Sequence, residues 1–174
     1  MDIDAAGLPF LRGQEPPAGA KSAVEVAEIV SRCHELNVPF VLKGVMTPRA
    51  AARAAEAGVD AIVVSNHGGR VLDGTPATAE VLPDIVSAVG DEVEVLVDGG
   101  IRNGLDVFRA IALGARACLV CRPFVVSAFG GGERGVRDYL GQLRSELADA
   151  MEMCGTPSLH DISREALWAP CGDR

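Results

Sequence analysis

The sequence predicts an α/β protein built from parallel βα units. Three observations carry that class. Short apolar strands alternate with amphipathic helices four times along the chain. Hydrophobic residues make up 48% of the 174 and aromatics only 4%, so Ala, Val, Leu and Ile fill the interior, as in parallel sheets covered on both faces. Each strand also runs into a polar group at its C-terminal end: Lys43, then Ser65-Asn66-His67, then Asp98-Gly99-Gly100, then Arg122. Active sites in parallel α/β folds, barrels and open sheets alike, lie at that end. Lys43, His67, Asp98 and Arg122 are therefore expected on one rim.

The elements follow in order. SAVEVAEIVSRCHEL (22–36) has apolar residues at helical spacing, and Ser22 with Glu25 forms a capping box. PFVLK (39–43) reads as a strand. TPRAAARAAEAG (47–58) is a helix with Thr47 as N-cap, Pro48 in the first turn and Gly58 closing it. DAIVVS (60–65) is the next strand. ATAEVLPDIVSAVG (77–90) is a helix in which Pro83 removes a bond or makes a kink. EVEVLVDGG (92–100), GLDVFRAIALG (104–114) and ARACLVCR (115–122) complete the alternation as strand, helix and strand. GGGERG (130–135) reads as a flexible helix entry, and an amphipathic helix over roughly 135–154 follows. Trp168 reads as a packing residue and His160 as a surface one. Right-handed crossovers join such strands, and 174 residues suffice for one domain with a core.

Composition excludes several functions. The net charge is −8 with no run of like charge, which argues against nucleic acid or an anionic membrane as the main partner. No apolar stretch approaches the roughly 20 residues of a membrane span. MDIDAAGLPF has neither a basic region nor a signal-like apolar block, so a cytoplasmic location is expected. The cysteines are Cys33, Cys118, Cys121, Cys154 and Cys171, an odd count that suits reduced thiols. Cys118 and Cys121 form a CxxC, but it lies in an apolar run with no second pair at zinc-site spacing, and no metal is expected.

PFVLKG, SNHGGRVLDG, LVDGGIRNGLDVFRAIALGA and CRPF together resemble the C-terminal half of the FMN-dependent 2-hydroxy acid oxidases and dehydrogenases, which include glycolate oxidase, lactate oxidase and lactate monooxygenase. The resemblance runs from about residue 1 to 163. It implies half of a TIM (β/α)8 barrel: a remnant of strand 4 and its loop in 1–21, βα units 5–8 in 22–130, and C-terminal helices and tail in 131–174. It further implies flavin-dependent oxidation of a small 2-hydroxy acid to the 2-oxo acid. His67 is then the base, a role suited to an imidazole that titrates near neutrality. Asp2 matches the aspartate paired with that histidine. Arg70 grips the substrate carboxylate through two parallel donors; without a substrate it would read as a surface arginine paired with Asp73. Lys43 sits at the flavin ring, where a cation favours reduction.

The same resemblance gives FMN its remaining contacts. Ser65 meets the ring, Asp98 the ribityl hydroxyls, and Gly99, Gly100, Arg102, Cys121 and Arg122 surround the phosphate. Glycines let N–H groups approach an anion, and a following helix start favours it. One departure is visible: the family usually has glycine where Cys121 stands. A full barrel needs eight βα units, so a homo-oligomer or a complementary half-barrel chain is expected as partner. The alternative function is an inactive FMN- or phosphate-binding fragment or subunit. Another FMN-anchoring barrel, such as isopentenyl diphosphate isomerase, would share the DGG turn without the NHGGR base and clamp.

Overall fold

A computed structural model describes residues 1–4 and 21–168. The chain divides into two compact units, Met1–Gly99 and Gly100–Arg174. The loop half of the strand-4 remnant and Cys171 lie outside the described residues.

The first unit holds α1 (Ala23–Glu35), β1 (Val41–Val45), α2 (Pro48–Glu56), β2 (Ala61–Val64), α3 (Thr78–Val89) and β3 (Glu94–Asp98). The strands run parallel: Leu42 pairs with Ile62, and Ile62 with Val95. All four residues of β2 are buried, as expected of a strand covered on both faces. Met1–Ile3 adds to the outer side of β1. Lys43 N–H donates to the Met1 carbonyl at 2.8 Å, and Ile3 N–H to the Lys43 carbonyl at 2.9 Å.

Capping follows the sequence. Glu25 N–H donates to Ser22 Oγ, and Ser22 N–H to the Glu25 carboxylate, which lowers the acid's pKa through that backbone bond first. Thr47 Oγ1 accepts from Ala50 N–H at 3.1 Å, with Pro48 at the first helical position. α3 continues through Pro83. Ile62, Val45, Leu82 and Ile85 are all fully buried and form the middle of this core. At the N-terminal end of β2, Asp60 Oδ2 accepts from Phe40 N–H at 2.6 Å and meets His34 Nε2 at 2.8 Å. The Phe40 N–H, then His34, hold the Asp60 carboxyl below its usual range.

Lys43 does not end its strand. β1 runs two residues further, with a register irregularity between Lys43 and Val45 where Gly44 takes φ +101°. The bulge lets Val45 pair with Val64 and keeps the apolar valine inside.

The second unit holds α4 (Gly104–Ala112), β4 (Ala117–Leu119), α5 (Arg122–Met153) and two 3-10 turns, Leu159–Asp161 and Arg164–Ala166. Phe108, Ala112 and Ile162 form its core, with Leu147 and Met151 against them. The expected fourth strand is shorter than 115–122, because the chain turns into α5 at Arg122. The expected glycine-rich loop contracts to one residue. α5 is helical on both sides of Gly132, which adopts φ 56° and ψ −143°. A straight helix would separate Phe124 and Tyr139 by about 22 Å. Their rings stand edge to face with centroids 4.9 Å apart, so the chain reverses at Gly132 into two antiparallel arms. Trp168, expected to pack, is 87% exposed.

Candidate active site

In the first unit the strand ends bring four ionisable side chains into contact. Lys43 Nζ lies 3.2 Å from Asp2 Oδ1, 3.4 Å from Asp98 Oδ2 and 3.4 Å from His67 Nε2. The carboxylate that meets His67 most closely is Asp4, not the expected Asp2: Asp4 Oδ1 is 2.8 Å from His67 Nδ1, whereas Asp2 Oδ2 stands 3.9 Å from Nε2. The His67 and Asp4 side chains are only 14% and 17% exposed. Asp2 bridges to β1 and the chain bends at Ile3 and Asp4, and both carboxylates reach the rim. Gly44 decides which reaches the ring, because a Cβ there would stand 2.7 Å from Asp4 Oδ1.

These contacts fix the imidazole's tautomer. An ammonium has no lone pair to offer and an ionised carboxylate no proton. The neutral ring therefore carries its proton on Nδ1, facing Asp4, and its lone pair on Nε2, facing Lys43. An unprotonated Nε2 with a carboxylate behind the ring is the arrangement of a general base.

The turn that presents His67 begins on a buried serine. Ser65 is fully buried and its Oγ accepts from His67 N–H at 3.2 Å. Arg70 is exposed; its Nε donates to the His67 carbonyl at 3.3 Å, and no ion pair with Asp73 forms among the described residues. Asp98 ends β3. Its backbone carbonyl accepts from the buried Thr78 hydroxyl at 2.7 Å, while its Oδ1 is buried with no hydrogen-bond partner among the described residues.

In the second unit, Gly100 and Arg102 precede α4, and Cys121 and Arg122 open α5; the two helix starts differ. At α4, Gly104 N–H donates to Glu146 Oε2 at 2.8 Å, Arg102 N–H to Asp106 Oδ2 at 3.0 Å, and Asp106 N–H to the Asn103 cap at 2.8 Å. The Gly104 bond, then Gln142, holds the Glu146 carboxyl below its usual range. The Arg102, Gly104 and Asp106 N–H groups are thus taken by the protein's own side chains, which leaves the Gly99–Gly100 backbone before them as the part of DGGIRNG open to an anion. At α5, Cys121 is the N-cap and makes no side-chain cap bond among the described residues, and Arg122 is the first helical residue. Cys121 has φ −110°, so a side chain there carries no backbone strain despite the family's glycine. Gly100 has φ +80° and open space around it, and the Arg102 guanidinium is exposed.

Asp4, Thr78 and Glu146 are site residues that the sequence reading did not single out, and Asn66 was named only as part of the polar strand end. Asp4 was within reach, since MDID offers two carboxylates. Glu146 was not, because nothing local ties a glutamate on α5 to a turn over forty residues away. Cys118, half of the CxxC, has its thiol pushed up to about 11 by burial, which suits an inert side chain.

The model of the family described as FMN-dependent dehydrogenase matches residues 17–169. Over 134 residues the chain is 50% identical to a pre-mycofactocin synthase of Mycobacterium tuberculosis, covering 77% of this chain and 34% of that protein. Over 128 residues it is 46% identical to a peroxisomal (S)-2-hydroxyacid oxidase of Arabidopsis thaliana, covering 74% and 35%. Among solved structures, a mandelate oxidase superposes with TM-score 0.78 at 45% identity, covering 84% of this chain and 43% of the other. The chain thus spans about a third of the length of the curated relatives it matches.

Proposed function

The chain belongs to the family of FMN-dependent dehydrogenases, and from that premise we propose that it carries the base, the carboxylate clamp and the phosphate anchor for oxidising a small 2-hydroxy acid to the 2-oxo acid. The single observation that carries this reading is the His67 ring held between Asp4 Oδ1, 2.8 Å from Nδ1, and Lys43 Nζ, 3.4 Å from Nε2. Lactate- or glycolate-type acids are the proposed substrates, as the name of the Arabidopsis relative suggests for that protein.

The residues fit FMN. Asp98 Oδ1 is a buried acceptor without a donor among the described residues, as a ribityl hydroxyl would require. Gly99 and Gly100 both have positive φ, and nothing stands within 4 Å of a Cβ built at Gly100, so a phosphate can approach the backbone. Ser65 would meet the flavin ring, and Arg102, the Cys121 N–H and Arg122 would hold the phosphate. FMN supplies the two-electron acceptor when bound.

In the step itself, Arg70 pairs with the substrate carboxylate and orients the hydroxyl-bearing carbon. His67 Nε2 takes one proton from the substrate as its electron pair leaves, and Asp4 stabilises the charge the ring gains. Lys43, held by Asp2 and Asp98, places a cation at the rim for the charge that collects on reduction. The residues work as one partial barrel over 1–174, completed by further βα units from a second copy or a complementary half-barrel chain. Among the described residues no helix is long and apolar enough to cross a membrane. The four described cysteines are free, which suits the cytoplasm as the proposed compartment.

The test is anaerobic. FMN-loaded protein is mixed with lactate or glycolate and the visible flavin band is followed. Bleaching in the wild type, abolished in His67→Ala with the flavin still bound, supports the reading; bleaching that survives His67→Ala overturns it. A second reading is an FMN-binding unit without turnover, in which the Asp98 acceptor and the Gly99–Gly100 turn hold the cofactor. It predicts flavin retained through gel filtration with no bleaching by lactate, glycolate or mandelate.

A further inference from the structure

The turn after β2 carries both proposed reacting side chains, and its backbone is disfavoured. His67 takes φ +54°, and Gly68 and Gly69 follow at +67° and +74°. Left-handed backbone is ordinary for glycine and uncommon for any residue with a Cβ, histidine included. Something must hold it, and an outlier of this kind points to a function that needs it.

Asn66 does the holding. Its Oδ1 accepts from Gly68 N–H at 3.0 Å and Gly69 N–H at 3.2 Å. Its Nδ2 donates to Thr75 Oγ1 at 3.3 Å and the Pro76 carbonyl at 3.1 Å. An amide offers two lone pairs and two N–H donors, and all four are used. The orientation is unambiguous, because a flipped amide would turn donors on donors. One side chain thus ties the left-handed turn to the far end of its own loop.

We propose that Asn66 is a positioning residue for proton transfer: by fixing the turn it holds His67 Nδ1 on Asp4, and so decides which ring nitrogen is free to act. The proposal rests on the reading of His67 as the base. Ser65 secures the His67 N–H independently, so losing Asn66 frees the two glycines first and the ring through them.

The experiment is nitrogen-15 NMR of the full chain, whose three histidines make assignment by substitution direct. In the wild type, His67 should show a protonated Nδ1 and an unprotonated Nε2. In Asn66→Ala, both ring signals should move toward the average of an exchanging tautomer pair. The Gly68 and Gly69 amides should exchange about tenfold faster, the effect of losing one ordinary hydrogen bond. Thr75→Val removes one acceptor of the Asn66 amide without changing charge. It should move the same signals in the same direction by less, and it decides the matter if Asn66→Ala does not fold. His67 signals unchanged in a folded variant whose glycine amides exchange faster would overturn the proposal. These signals need neither flavin nor turnover. A wild type with the fixed tautomer that fails to oxidise lactate or glycolate would count against the proposed reaction alone.

Discussion

Asp4 reaches His67 because Gly44 leaves room for its carboxylate, so three single substitutions should grade the site. His67→Gln should lower flavin reduction by about 10²- to 10⁴-fold, the usual worth of a positioned base. Asp4→Asn should fall between that variant and the wild type, since the ring loses its orienting acceptor but keeps a nitrogen that can take a proton. Asp2→Asn should be milder still, because Asp2 faces Lys43 at 3.2 Å and the ring at 3.9 Å. Anaerobic stopped-flow absorbance checks the order; Asp2→Asn slower than Asp4→Asn would contradict it. The thiols give an independent check of local packing. Cys121 and Cys154 are exposed, whereas Cys118 is held near 11 by burial, so alkylation at pH 8 followed by peptide mass spectrometry should find Cys118 labelled last.

Among the elements, the crossing of α4 and α5 is the tightest described. A Cβ on Gly104 would stand 2.2 Å from the Leu147 backbone nitrogen, a rigid neighbour. Gly104→Ala should therefore cost about 1–3 kcal/mol, as overpacking commonly does, read as a lower denaturation midpoint. The same crossing carries an acid dependence. Glu146 titrates lower folded than unfolded, so its contribution is complete above the ordinary carboxylate range and is lost as pH falls through the lowered folded value. Glu146→Gln should flatten that part of the stability profile, which urea melts at pH 3 to 7 would show. The helices and strands themselves were legible because local rules set them: Ser22 and Glu25 cap α1, Thr47 and Pro48 open α2, and the alternating apolar runs become β1 to β4. The rim was legible for Lys43, His67 and Asp98, since parallel strands all deliver their C-terminal residues to one end. What stayed hidden depended on distant partners. The choice of Asp4 over Asp2 needs Gly44, and the filling of the α4 start needs Glu146. The single-residue reversal at Gly132 could not be separated from a longer loop while three glycines stood in a row.

At the scale of the whole molecule, large apolar side chains remain on the surface. Val126 and Phe129, on the first arm of α5, are 71% and 92% exposed, and a net charge of −8 is modest protection against association. The purified chain should elute larger than a single 174-residue molecule. Phe129→Glu should shift it toward the monomer if that arm lies in the contact. Light scattering at two concentrations would show either outcome. The reversal at Gly132 has a further consequence for how copies of this chain can entangle. An alanine cannot adopt φ 56°, ψ −143° without strain, so Gly132→Ala should favour an unbroken 32-residue rod about 48 Å long. The second arm would then reach past its own molecule and seat on the first arm of a neighbour, where Phe124 waits for a Tyr139 from another chain. One methyl group would thus turn an intramolecular clasp into a domain-swapped pair, stable to dilution and slow to exchange.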